Sequence, residues 1–179
     1  GLFEQFPCDS VFAMHNAPGL PVGEFSATAG VVAAAGAFFD IDIEGVGAHG
    51  AHPENGVDPV VIGSQIVTAV QSIVARNLRA RDAAVVSITQ FHAGDAYNVI
   101  PASARLSGTV RTFSKAVMTK IEERMQELAA TIAAGYGGTA KVDFRPIFAP
   151  VVNDEKESTF AAGVCAGIVG DNNVHTDLP

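Results

Sequence analysis

Basic side chains are scarce in this sequence. Its 179 residues hold 11 Lys+Arg against 19 Asp+Glu, for a net charge of −8. A sequence-independent grip on nucleic acid needs a basic face, and so does docking on anionic lipid, so both are excluded as partners. Cysteine is scarce too. Cys8 and Cys165 are the only two, far apart and outside any CxxC pattern, which excludes a disulfide scaffold. They read as reduced thiols of a cytoplasmic protein. No apolar run reaches the length that spans a bilayer; GVVAAAGAFF (30–39) is the most apolar, short and interrupted by glycine. A basic start followed by an apolar core is also missing, so no signal peptide is expected. Neither an internal repeat nor a low-complexity tract occurs. The chain begins without an initiator Met and ends on Asp-Leu-Pro, which suggests a fragment.

What is present points to a globular fold. Hydrophobic residues make up 48% and charged residues 17%, enough to bury a core. Along AFFDIDIEG (37–45), Phe39, Ile41 and Ile43 alternate with Asp40, Asp42 and Glu44, the pattern of a strand with one wet face. Asp58 is a side-chain cap and Pro59 a first-turn residue for an amphipathic helix over about 58–79. Strands are predicted at 83–94, 104–113 and 139–148. A second helix starts after Ser114, carries the stripe Val117, Ile121, Met125, Leu128 and Ile132, and ends at Gly135. VFAMHNAPGLPVG (11–23) reads as a short apolar strand and a turn-rich loop. NDEKES (153–158) reads as a polar break before a third helix at about 159–169.

The order strand, helix, strand, strand, helix, strand over 37–148 predicts an α+β fold. It is a split β-α-β unit with a four-stranded antiparallel sheet and both helices on one face. The flanks, 1–36 and 149–179, read as incomplete α/β segments of something else. AVVSITQF (84–91) should be an edge strand of that sheet. It carries no charge, which invites pairing with its own copy.

Four residues are candidates for chemistry. GVGAHGAHPENGVDP (45–59) is glycine-rich, but it has no Lys-Ser/Thr and places Asp58 at the helix start, against a phosphate loop. GVGAHG (45–50) matches a dinucleotide string, yet the helix cap stands too far beyond it. The glycines are expected to give φ > 0 and close substrate approach. His49, between Ala48 and Gly50, then suits donation of a hydrogen bond to a developing oxyanion. His15 in MHNAP lies where a strand is expected to end, a place suited to a ligand. Asn98 in YNVIP can donate and accept, and Arg111 in GTVR can fork onto a carboxylate. His92 and His175 read as surface residues.

Three stretches in order, VFAMHNAPGLPVG, GVGAHGAHPENGVDPV and NVIPASARLSGTVRTF, resemble the metal-dependent amidohydrolases of the aminoacylase/carboxypeptidase family. The likeness is to its hippurate hydrolase and indole-acetyl-amino-acid hydrolase group, over about residues 10 to 175. The resemblance implies a catalytic domain with two divalent metal ions, zinc or manganese, and an inserted lid through which two subunits form a homodimer. Residues 37–148 correspond to the lid, with 1–36 and 149–179 as catalytic-domain segments. It implies that His15 is a metal ligand and that His49 reaches across the dimer to the scissile carbonyl. It implies that Asn98 and Arg111 bind the carboxylate end of an N-acyl-amino-acid substrate. Glu54 stands where the group usually has His. The family's cysteine-and-histidine ligand motif, its Glu-Glu pair and its final histidine ligand are absent, so the chain by itself is expected to be inactive and to bind no metal. The alternative is a non-catalytic module that only dimerises or binds a small molecule.

Overall fold

The computed structural model describes residues 1–178. Two compact units are present: Ala34–Pro150, and Gly1–Ala33 together with the segment from Val151 onward.

The larger unit is built on β1 (Ala35–Glu44), α1 (Pro59–Ser72), β2 (Ala84–Ala93), β3 (Ser103–Thr112), α2 (Lys115–Gly135) and β4 (Thr139–Phe148). The strands lie in the order β2-β3-β1-β4, every neighbour antiparallel. This is the mixed helix and antiparallel-sheet fold that the order of periodic segments predicts. Alternate residues of β1 (Ala37, Phe39, Ile41 and Ile43) are buried with Ala104, Leu106 and Val110 of β3. Both helices cover that one face. Ile62, Ile66 and Val70 of α1, and Val117, Ile121, Met125 and Ala129 of α2, complete a single core cluster. The helices start where side chains satisfy orphan N–H groups. The Asp58 carboxylate accepts from Val60 N at 2.8 Å, and Ser114 Oγ from Val117 N at 3.5 Å.

A bulge in β2 turns Phe91 to the helix side. The register passes from Ile88 opposite Gly108 to Gln90 opposite Ser107, leaving Thr89 as the extra residue. Without it, period-two alternation would turn Phe91 outward. With it, Phe91 pairs with buried Leu106, and its ring closes on α1 at Gly63.

Several sequence expectations are corrected. α2 runs to Gly135, as expected, but the glycine that stops it is Gly137. Gly137 takes φ +82, and Gly138 N donates to Ala133 O at 2.9 Å, the bonding of a Schellman stop. α1 continues through a π-helical turn, Ile73–Asn77, and the 19 residues Pro59–Asn77, with an 18-residue window of mean hydropathy 1.2, are long and apolar enough by length and composition to cross a membrane. Its buried residues Ile62, Ile66, Val70 and Ile73 pack in the core cluster, so its apolarity serves the sheet. In the smaller unit, the helix is Glu155–Val169 and starts inside the supposed polar break. There Asp154 accepts from Lys156 N at 2.9 Å and Glu157 N at 3.2 Å. Residues 11–15 form no strand. An extended segment becomes one only when a neighbour takes its backbone hydrogen bonds, and among the described residues none does. The unit's other ladders are Phe25–Ser26 parallel to Val174–His175, and Gly30–Ala33 antiparallel to Val151–Asn153.

Gly108 is the tightest point of the core. A Cβ there would fall on the Ser87 carbonyl and the Phe39 ring, whereas at Gly163 it meets nothing within 4 Å. Gly108→Ala is expected to cost at least about 1–3 kcal/mol through overpacking. Gly163→Ala, in a helix interior, should be neutral or stabilising by up to about 1 kcal/mol. Urea unfolding midpoints of the two variants check this.

Candidate functional site

The glycine-rich stretch 45–59 is a pinned structure rather than a slack connection. Val46 and Val57 exchange both backbone hydrogen bonds at 2.9 Å. Ala48–His49 pairs with Val99–Ile100, and Gly50 N donates to Asn98 O at 2.7 Å. The expected positive φ values are absent here: Gly45, Gly47, Gly50 and Gly56 all lie outside the left-handed region. Steric room is what requires glycine. A Cβ on Gly45 would fall on the Val57 carbonyl, one on Gly56 would stand 2.8 Å from Ala48 Cβ, and one on Gly50 would stand 3.2 Å from Asn98 O.

This folding brings His49 and Asn98 side by side at one end of the sheet, both exposed. His49 Nδ1 accepts from Ala51 N at 3.1 Å. In a neutral imidazole the proton then sits on Nε2, an outward-facing donor. Glu54 lies in the single turn Pro53–Asn55, with Oε1 3.3 Å from His52 Nδ1. Both partners are more than half exposed, so the pair adds little stability.

Arg111 is not with them. It sits eight residues along β3 from Ser103, roughly 26 Å at the ordinary strand rise. Within one chain, the three residues therefore do not meet. Arg111 faces the helix-free side of the sheet, beside a shallow depression of about 400 Å³ that Phe38, Asp40 and Arg145 also line. The other arginines of this face are already paired. Arg105 Nε donates to Asp42 at 2.5 Å, and Arg145 bonds Asp40 at 2.6 Å and also Asp143. Asp40 also accepts from Ser107 Oγ at 2.5 Å. The Ser107 hydroxyl, and then the Arg145 guanidinium, hold the Asp40 carboxyl below its ordinary pKa. The Arg145 and Arg105 guanidinium groups are pushed up by their aspartate partners. Arg111 makes no ion pair among the described residues.

His15 belongs to the smaller unit. It is exposed, and its Nδ1 lies 2.7 Å from Asn16 O, leaving Nε2 open. No group of three or more His, Cys, Asp or Glu side chains converges among the described residues. His15 can therefore offer one ligand, but the described residues do not fit a metal centre of their own. His175, read from sequence as a surface residue, is half-buried with Nε2 2.7 Å from Glu24 Oε2. The two are 151 positions apart and meet only through the parallel Phe25–Val174 ladder, so no local pattern announced them.

Residues 35–137 match the family model of a peptidase dimerisation domain, M20_dimer. The chain is 41% identical over 170 residues to the N-acetylcysteine deacetylase of Bacillus subtilis (strain 168), covering 94% of this chain and 44% of that protein. It is 34% identical over 174 residues to the hippurate hydrolase of Campylobacter jejuni, covering 97% and 45%. A solved dinuclear metal binding peptidase of the M20 family from Bacillus subtilis superposes with a TM-score of 0.68 at 34% identity, covering 92% of this chain and 40% of that one. The chain thus spans less than half the length of these relatives.

Asp40's lowered pKa gives a pH prediction. A depressed carboxylate contributes stability that is complete above the ordinary carboxylate range and is lost as pH falls through the folded value. Ser107→Ala removes the largest cause, so the Asp40 pKa should rise toward normal and acid unfolding should begin at higher pH. A carboxyl-carbon NMR titration of wild type and variant reads the shift.

Proposed function

Because this chain belongs to the M20 peptidase family through its dimerisation domain, we propose that it is the lid and adjoining part of an amidohydrolase. The whole protein splits N-acyl or N-aroyl amino acids into a carboxylate and an amino acid. The relatives' names support this substrate class: N-acetylcysteine, N-acetyldiaminopimelate and hippurate are all acylated amino acids with a free carboxylate. A divalent metal, zinc or manganese, would polarise the carbonyl and lower the pKa of water, with His15 Nε2 as one of its ligands. Both cysteines are free, in keeping with a cytoplasmic setting.

One observation carries the reading. A guanidinium without an ion pair among the described residues stands at one end of the lid sheet, and a hydrogen-bond-donating histidine with an asparagine stands at the other. A second copy of the chain unites them. β2 is an outer strand without a charged side chain, while the opposite edge, β4, is guarded by Lys141, Asp143, Arg145 and Pro146. The start of β2 lies beside Arg111, since Val85 pairs with it, and its end lies toward Asn98. Twofold antiparallel pairing along β2 therefore lays the Arg111 end of one copy next to the His49–Asn98 end of its partner. In such a site Arg111 holds the substrate carboxylate. His49 Nε2–H and the Asn98 amide donate to the carbonyl oxygen as it gains charge on water addition. The general base comes from outside these residues, so the chain alone should not turn over substrate.

Hydrolysis of N-acetyl- and N-benzoyl-amino acids by the full-length protein tests the reading. His49→Ala should lower kcat about 100- to 1,000-fold, as loss of an oxyanion donor does, and Arg111→Ala should raise KM. At substrate far below the raised KM, where both variants are nearly silent, mixing them should restore about a quarter of wild-type activity. Half of the randomly paired dimers are mixed, and each of those has one intact composite site of two. No activity in the full-length protein would instead favour a non-catalytic dimerisation or small-molecule-binding module.

A further inference from the structure

Arg111 is held more firmly than an exposed strand-end arginine needs to be. Its guanidinium carbon lies 5.7 Å from the centroid of the Phe148 ring and 6.0 Å from that of Phe38. The backbone register explains the arrangement. Gly36 of β1 stands opposite Arg111 on one side and opposite Phe148 on the other. Having no side chain, it leaves a gap on the open face, and the Phe148 ring fills it. A Cβ on Gly36 would sit 2.5 Å from that ring's Cζ. Phe38, two residues on and facing the same way, closes the other side. Both rings are about half exposed, 51% for Phe148 and 48% for Phe38, so burial in the core does not account for them.

Hydrogen bonds fix the remaining freedom. Arg111 Nη1 donates to Thr109 Oγ1 at 2.5 Å and to Val110 O at 2.9 Å, while Thr109 Oγ1 itself donates to Ala37 O at 3.2 Å. All of the guanidinium's internal bonds use Nη1. Among the described residues, Nε–H and Nη2–H are unpaired, and they form the edge that meets a carboxylate with two parallel hydrogen bonds.

We infer that Phe38 and Phe148 are positioning residues that clamp Arg111 with its Nε–Nη2 edge presented to a substrate carboxylate, and so set the preference for acids over neutral amides. The inference rests on the function proposed above and adds to it the source of carboxylate selectivity. Ring faces attract the cation and keep the fork from swinging into water, so part of its ordering cost is met before substrate arrives.

The test compares N-benzoylglycine with N-benzoylglycinamide, which lacks the charge, in the full-length protein. Phe38→Leu and Phe148→Leu should each raise KM for the acid about two- to fivefold, and the double variant about tenfold. The kcat values, and KM for the amide, should stay at wild-type levels, and Phe148→Tyr, which keeps the ring face, should behave as wild type. An unchanged acid-to-amide ratio in an active protein overturns the clamp and leaves the amidohydrolase reading standing. If the wild type hydrolyses neither compound, that reading falls, and a second measurement decides the clamp. In the 179-residue chain, the Arg111 Nε–H resonance should be ring-shifted and should move further with added benzoate. The double Leu variant should lose both effects. Retention of the benzoate response in that variant overturns the clamp.

Discussion

Strand β1 has a sheet neighbour on each side, and its two-residue alternation is the constraint that every other element of the larger unit obeys. Phe39, Ile41 and Ile43 point to the helices, which commits Asp40, Asp42 and Phe38 to the opposite face. β3 matches it residue for residue, and Gly108 exists to let the Phe39 ring lie across its backbone. β2 needs the bulge at Thr89 to stay in phase. β4 keeps phase with β1 through an irregularity between Gly36 and Ala37, which brings Phe148 to the gap beside Arg111. The candidate anion site is thus a consequence of the same parity that builds the core.

The open face is polar, yet it is not a uniform surface. Asp42 holds Arg105 and Asp40 holds Arg145 across strands, while Asp143 pairs with Arg145 along β4; the pairs made by Asp42 and Asp143 are too exposed to add much stability. Their effect is selective: among the described residues, they leave Arg111 as the one arginine of this face without a carboxylate. At the far end, the pinned loop presents His49 with its Nδ1 occupied and its Nε2 outward. Arg111 and the His49–Asn98 pair thus stand at opposite ends of one sheet, too far apart to meet within a chain, and that separation is what the proposed twofold pairing would bridge.

Much of this was legible in the residues. The alternation at 37–45, the Asp58-Pro59 start of α1 and the stripe of α2 specify their elements locally, and the order of those elements leaves few topologies. What failed had local ambiguity. Gly135 and Gly137 both suit a helix end, and only the bond from Gly138 to Ala133 selects the second. The glycines of 45–56 looked like sources of positive φ because sequence cannot show which backbones approach one another. His175 with Glu24 could not be foreseen, because parallel pairing of distant segments carries no spacing signal.

The sequence by itself determined the main strands and helices of 37–148, their antiparallel sheet with both helices on one face, and the candidacy of His15, His49, Asn98 and Arg111, since periodicity, caps and motif residues act over a few positions. Only the tertiary structure decided which of those candidates share a place. His49 and Asn98 meet through the pairing of Ala48–His49 with Val99–Ile100, whereas Arg111 is carried to the other end of β3 and joins Phe38 and Phe148 across Gly36. The physical reason is that backbone register between strands distant in sequence fixes side-chain neighbours, and no local pattern encodes that register.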